Sequence, residues 1–188
     1  MIPLLAAAVD LLTFCSARDW RICVIGGLAV QRWGEPRVTR DVDVSLLTDF
    51  GREEAFIEAL MARYQPRIDG AARLAIERRV LLLRASNGVA LDIALAGLPY
   101  EARVAARSTP WTVEPGTSIQ TCSAEDLVVL KAFAGRVQDW LDVEGIIVRQ
   151  GPSIDRALIR QELHLLLELK EDEESAGRLE MLFATHPA

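Results

Sequence analysis

ICVIGGLAVQRWGEPRVTRDVDVSLL, residues 22–47, decides the reading of this chain. An apolar run ends in Gly26-Gly27, a short apolar segment and a Pro-containing loop follow, and Asp41-Val42-Asp43 opens a second run. From Asp41 to Leu47 the residues alternate with period two, which is a strand signal. Side chains two apart on a strand share a face, so Asp41 and Asp43 project together while Val42, Val44 and Leu46 point to the core. Two neighbouring carboxylates repel and raise each other's pKa unless a cation lies between them. The purely structural alternative is a strand start with Asp43 paired to Arg37 or Arg40.

Working outward, Arg21 to Ile25 reads as a short buried strand, Gly26-Gly27 as a turn and Leu28 to Trp33 as a helical segment, with a loop from Gly34 to Arg40. Residues 3–17 read as an amphipathic helix and Glu53 to Tyr64 as another. Arg79 to Ala85 and Val89 to Leu95 are apolar runs joined by Ser86-Asn87-Gly88, and Asn-Gly between strands is a hairpin cue. Residues 110–121 read as a shorter strand pair around Pro115-Gly116. Ser123 with Asp126 three residues on is an N-cap arrangement opening Ala124 to Ala134. Beyond it the chain reads helical, broken at Gly135, Gly151-Pro152 and Glu171, with the acidic run at 171–175 a solvated turn.

The expected architecture is α+β: a mixed β-sheet flanked by helices over residues 1–122, and a helical portion over 123–188 packed on that core. The chain has 188 residues, 51% of them hydrophobic, and a net charge of −6, which places it among globular rather than disordered proteins. The apolar N-terminus has no basic flank, and no run is long enough to span a bilayer, so the expectation is a cytoplasmic protein without a membrane partner. Cys15, Cys23 and Cys122 are an odd number with no C-x-x-C spacing, which argues for reduced thiols and against zinc. Both histidines, His164 and His186, lie near the C-terminus, so any metal site would use hard oxygen donors.

Asp92 adds a third carboxylate. It sits inside the apolar run VALDIALAG, where a charge is costly unless paired or metal-bound. Three carboxylates from two strands suit one or two Mg²⁺ ions; the structural alternative is an ion pair with Arg79 or Arg84. Gly26-Gly27 after a buried strand lets a phosphate approach the backbone at a helix start.

The order strand, Gly-Gly, helix, loop, Asp-x-Asp strand, then Asp92 on a later strand resembles the nucleotidyltransferase fold of DNA polymerase β-type enzymes. Residues 24–44, VIGGLAVQRWGEPRVTRDVDV, are similar to the minimal bacterial branch that includes the AbiEii-type toxin nucleotidyltransferases of type IV toxin–antitoxin systems. Residues 123–147, SAEDLVVLKAFAGRVQDWLDVEGII, resemble the helical segment after the catalytic sheet in those proteins. The tail beyond residue 150 has no such counterpart.

The resemblance implies roles. Asp41 and Asp43 would hold the Mg²⁺ ions that bridge a nucleoside triphosphate, and Asp92 would complete the site and help deprotonate the acceptor hydroxyl. Gly26 and Gly27 would cradle the β,γ-phosphates. Lys131, one of two lysines in the chain, matches a lysine placed near the nucleotide; its alternative is a solvent-facing helix residue. Arg136 and Asp139 match a cleft-lining segment, although three apart on a helix they can simply pair. Arg40 joins them as a candidate nucleotide contact. Many members have Gly-Ser where this chain has Gly26-Gly27, which leaves rate and nucleotide preference open.

The implied activity is transfer of an NMP from an NTP to an RNA, protein or small-molecule hydroxyl, with a toxin–antitoxin setting and a cognate antitoxin as partner. The competing expectation is a catalytically silent nucleotide- or partner-binding module, with the apolar positions Leu163, Leu166, Leu167 and Leu169 of the tail as a docking face or as ordinary core.

Overall fold

The computed structural model describes residues 1–187, with backbone alone at residue 173. The chain divides into two compact units, Met1–Leu28 with Val38–Cys122, and Ala29–Arg37 with Ser123–Ala188.

The first unit is built on a seven-stranded mixed sheet. Its strands are β1 (Ile22–Val24), β2 (Asp41–Leu47), β3 (Gln65–Pro66), β4 (Val80–Arg84), β5 (Ala90–Ala96), β6 (Thr109–Glu114) and β7 (Thr117–Thr121), in spatial order β3-β4-β5-β2-β1-β7-β6. β2 runs parallel to β5 and β1 parallel to β7, and the other pairs are antiparallel. The alternation along β2 and β5 sends Val42, Val44, Leu46, Leu91, Ile93 and Leu95 into one core. Helix α1 (Pro3–Ser16) contributes Ala7, Ala8, Leu11 and Cys15 to that core, and α3 (Glu53–Met61) contributes Ile57 and Leu60. Burial pushes the Cys15 thiol up to about 12, so it stays neutral.

Four elements depart from the sequence expectation. Gly26 and Gly27 are not a separate turn: they form the start of α2 (Gly26–Trp33). The strand β3 and the helix α4 (Ala71–Arg78) occupy residues to which no element was assigned, as does α5 (Pro99–Arg107). Helix α5 is opened by Glu101, whose Oε2 accepts from the Gly97 and Leu98 amides at 2.7 and 2.8 Å. The Asn-Gly hairpin forms as read, with Leu82 opposite Asp92.

The second unit is helical. Its helices are α6 (Ala124–Ala134), α7 (Val137–Gln150), α8 (Arg156–Lys170) and α9 (Glu173–Thr185), with a 3-10 turn at Gly151–Ser153 between α7 and α8. Each of three starts is capped, the first as its sequence predicts: Ser123 accepts from Asp126 N, Asp155 from Leu158 N and Asp172 from Ser175 N. The 171–175 run is therefore a helix boundary with a function in the fold, with Asp172 as its cap. Helix α6 packs on α7 and α8, and α8 on α9. Leu163, Leu166 and Leu167 are buried, whereas Leu169 is exposed.

Residues 29–37 join these helices through specific contacts. Arg149 Nη1 donates to Gly34 O at 2.6 Å and Gln150 Nε2 to Trp33 O at 2.6 Å. A side chain at Gly34 would collide with Ile146, its Cβ lying 2.9 Å from Ile146 Cγ1.

Candidate active site

β2 and β5 pair in parallel with Asp43 opposite Asp92 and Asp41 opposite Ala90. Register partners share a face, so the parity that buries Val42 and Val44 on one side collects all three carboxylates on the other. One carboxylate oxygen from each of Asp41, Asp43 and Asp92 lies within 4.8 Å of the others. All three side chains are half-buried.

Gly26 closes one side of this cluster. Its φ of +61° is left-handed, and a Cβ there would lie 2.6 Å from Asp43 Cβ and nearer still to the carboxylate. Only glycine satisfies both the backbone angle and the clearance. Ile25 N donates to Asp43 O at 2.9 Å, which ties the glycine start of α2 to the aspartate strand. Gly27 is the second residue of α2. Thr39 Oγ1 donates to Asp41 Oδ1 at 2.9 Å. Arg40 is exposed, immediately before Asp41.

The partner of Asp92 is neither Arg79 nor Arg84. Arg79 pairs with Glu53, and Arg84 Nη1 donates to Gly88 O. Arg67, just past β3, places Nη2 2.6 Å from Asp92 Oδ1. Burial pushes the Asp92 carboxyl above its usual range; the Arg67 guanidinium opposes that rise and the charge of Asp41 adds to it.

Three carboxylates are the donor set of a hard divalent ion. Oxygens on opposite sides of a bound Mg²⁺ are separated by roughly 4 Å, given metal–oxygen distances of about 2.1 Å. The observed span is close to that separation, and the residues present fit such an ion.

Lys131, Arg136 and Asp139 lie in the second unit, in an ionic network in which Lys131 and Asp139 are buried and Arg136 is exposed. Lys131 is 6% exposed, which rules out the solvent-facing alternative. Its Nζ lies 2.8 Å from Asp139 Oδ1 and 2.8 Å from Asp142 Oδ2. Arg136 Nε donates to Asp139 Oδ2 at 2.6 Å, the i,i+3 pair anticipated from spacing. Arg37 grips Asp142 with two bonds, of 2.7 and 2.9 Å. Burial would raise both carboxyls, but the bonds from Arg136 and Lys131 hold Asp139 below its usual range, and those from Arg37 and Lys131 do the same for Asp142.

Sequence reasoning missed Asp142 and Arg67. Asp142 carried a usable signal, since it lies three residues after Asp139 on one helix face. Arg67 carried none, because its role depends on an edge strand of two residues.

The sequence matches no protein-family model and no curated protein. Solved structures share the fold. An antigenic nucleotidyltransferase-like protein from Paracoccidioides brasiliensis superposes with a TM-score of 0.50 at 15% identity, covering 94% of this chain and 92% of that one. The lincosamide antibiotic adenylyltransferase LnuA, solved with lincomycin bound, gives a TM-score of 0.50 at 14% identity, covering 75% of this chain and 94% of its own. The mixed sheet flanked by helices is thus a nucleotidyltransferase-type fold.

Proposed function

We propose that this chain is a divalent-metal-dependent nucleotidyltransferase that moves an NMP from an NTP to a hydroxyl acceptor. The observation that carries the reading is the clustering of Asp41, Asp43 and Asp92 beside the glycine start of α2. A bound divalent ion would supply charge neutralisation for the triphosphate and for the attacking and leaving oxygens. Asp41, Asp43 and Asp92 would hold it. Gly26 and Gly27 leave the helix start open to phosphate, where the first amide N–H groups favour an anion.

In the transfer, the acceptor oxygen forms a bond to the α-phosphorus while the bond from that phosphorus to the β-bridging oxygen breaks. Pyrophosphate leaves with the bond's electron pair, and Asp92 accepts the hydroxyl proton. The likeness to a lincosamide adenylyltransferase supports a small-molecule hydroxyl as acceptor, while the resemblance to AbiEii-type toxins supports an RNA or protein acceptor and an antitoxin partner. A silent binding module is the weaker reading, because such a protein has no need of three clustered carboxylates, each of which costs stability.

Calorimetric titration of Mg·NTP into the protein and into an Asp41→Ala/Asp43→Ala double variant tests the site. Binding by the parent chain and its loss in the variant is the expected result. No binding by the parent chain would overturn the proposal.

A further inference from the structure

A cleft of about 660 Å³ opens between the C-terminal ends of α1 and α5 and the β6–β7 pair, wholly within the first unit. It stands apart from the three aspartates. Arg21, on its wall, accepts through its backbone oxygen from Leu47 N at 2.9 Å, and Leu47 is the last residue of β2. Asp41 opens that strand, about 20 Å away at the rise of an extended chain. The gap stays open because the residues converging on it are short: Ser16 and Ala17 at the end of α1, Ala105 and Ser108 at the end of α5, and Ser118 on β7. Its volume is that of a small-molecule site.

The chemistry of the wall is one-sided. Arg21 is its one ionisable side chain. Among the described residues the Arg21 guanidinium makes no hydrogen bond or ion pair, and the Trp20 indole N–H and the Thr13 and Ser16 hydroxyls make no hydrogen bond. Ser108 is already engaged, donating to Ala105 O at 2.7 Å and accepting from Gln120 Nε2 at 3.1 Å. A helix C-terminus ordinarily brings negative charge. Here the last carbonyls of α1 are taken: Thr13 O by Ala17 N, Phe14 O by Arg18 Nη1, Cys15 O by the Arg18 and Trp20 amides, and Ser16 O by Asp19 N. Unengaged donors and a lone cation therefore meet in a concavity whose remaining wall includes Leu12, the Trp20 ring and Ile119.

We propose that this cleft is a second binding site, for a small monocarboxylic acid with an apolar body. One guanidinium matches one carboxylate in charge and, through two parallel N–H bonds, in shape. A phosphate dianion would bring a second charge with no further cation on the wall to meet it. The site is independent of the metal-dependent reading above.

The test is a titration of the full chain with benzoate and phenylacetate at neutral pH, followed by two-dimensional NMR. Benzyl alcohol and phenyl phosphate serve as controls. Both acids are expected to shift the Trp20 indole, Arg21, Ile22, Ile119 and Gln120 signals, and to bind more tightly than either control. Arg21→Gln removes an exposed side chain without a partner, so it is expected to fold and to bind the acids at least about tenfold more weakly. The Asp41→Ala/Asp43→Ala variant is expected to bind them as the parent does. No shift with either acid would overturn the proposal, as would shifts centred on Asp41 and Asp43. Unchanged affinity in Arg21→Gln, or equal binding of benzyl alcohol, would also overturn it. Tighter binding of phenyl phosphate would overturn the assignment to a carboxylate.

Discussion

Asp43 on β2 and Asp92 on β5 stand opposite one another in register across a parallel strand pair. Asp41, two residues back on the same face, brings a third carboxylate within 4.8 Å. Like charges at that spacing destabilise the fold without a cation, and Arg67 pairs with the carboxylate of Asp92. Strain of this kind is concentrated where a ligand relieves it.

Removing one of these charges trades function for stability. Asp41→Asn is expected to raise the melting temperature of the metal-free protein by about 1–4 °C, for a relief of about 0.5–1 kcal/mol in a chain of this size. The stabilisation that Mn²⁺ gives the parent chain would disappear. Differential scanning calorimetry with and without Mn²⁺ reads both effects.

Gly26 gives a sharper case. In Gly26→Ala the new methyl would overlap Asp43 and sit at a left-handed φ. A stability loss of about 1–3 kcal/mol is expected, together with loss of Mn²⁺ binding. Gly88→Ala is the control: its φ is +86° but nothing lies within 4 Å of its Cβ. It should cost about 1 kcal/mol and leave Mn²⁺ binding untouched. Urea titration beside metal binding separates the two.

Lys131 is expected to act on stability first. Lys131→Met removes the buried cation that Asp139 and Asp142 share and leaves them only Arg136 and Arg37, at a cost of about 2–3 kcal/mol at neutral pH. Both carboxyls are depressed in the folded chain. Their contribution to the parent is therefore present above the unfolded carboxyl pKa and is lost as pH falls through the depressed folded values. Stability curves for parent and variant should converge on acidification below about pH 4. A variant as stable as the parent at pH 7 would show that the network does not hold the helices.

Asp172 supplies a local pH probe. Hydrogen bonds from the Ser175 amide, Lys170 and the Ser175 hydroxyl hold its carboxyl at about 2. The cap is complete above the usual carboxylate range and is lost as pH falls through about 2. Hydrogen exchange at the Ser175 amide is expected to stay slow at pH 3.5 and to quicken in Asp172→Ala.

What the sequence shows of this site follows from how local each signal is. Asp41 and Asp43 announce themselves because strand parity is set by adjacent residues, and the hairpin that brings Asp92 alongside is announced by Asn87-Gly88. The Ser123 cap is equally local. Helix α4 is hidden because its buried face is Ala71 and Ala75, too small to give an apolar period. Arg67 is hidden because it reaches Asp92 across an intervening strand, while the arginines nearer in sequence turn elsewhere: Arg79, at φ +56°, swings to Glu53. The attachment of residues 29–37 to the C-terminal helices depends on Gly34, Arg149 and Gln150, more than 110 residues apart in the chain.

The measurement that tests the central claim most directly is transfer of label from α-³²P NTPs, one base at a time, with Mg²⁺. RNA, protein and a small-molecule extract would be offered as acceptors, with the Asp41→Ala/Asp43→Ala variant alongside. The account predicts labelled acceptor and released pyrophosphate with the parent chain, and neither with the variant. Label that persists in the variant, or none with any base and any acceptor, would contradict it.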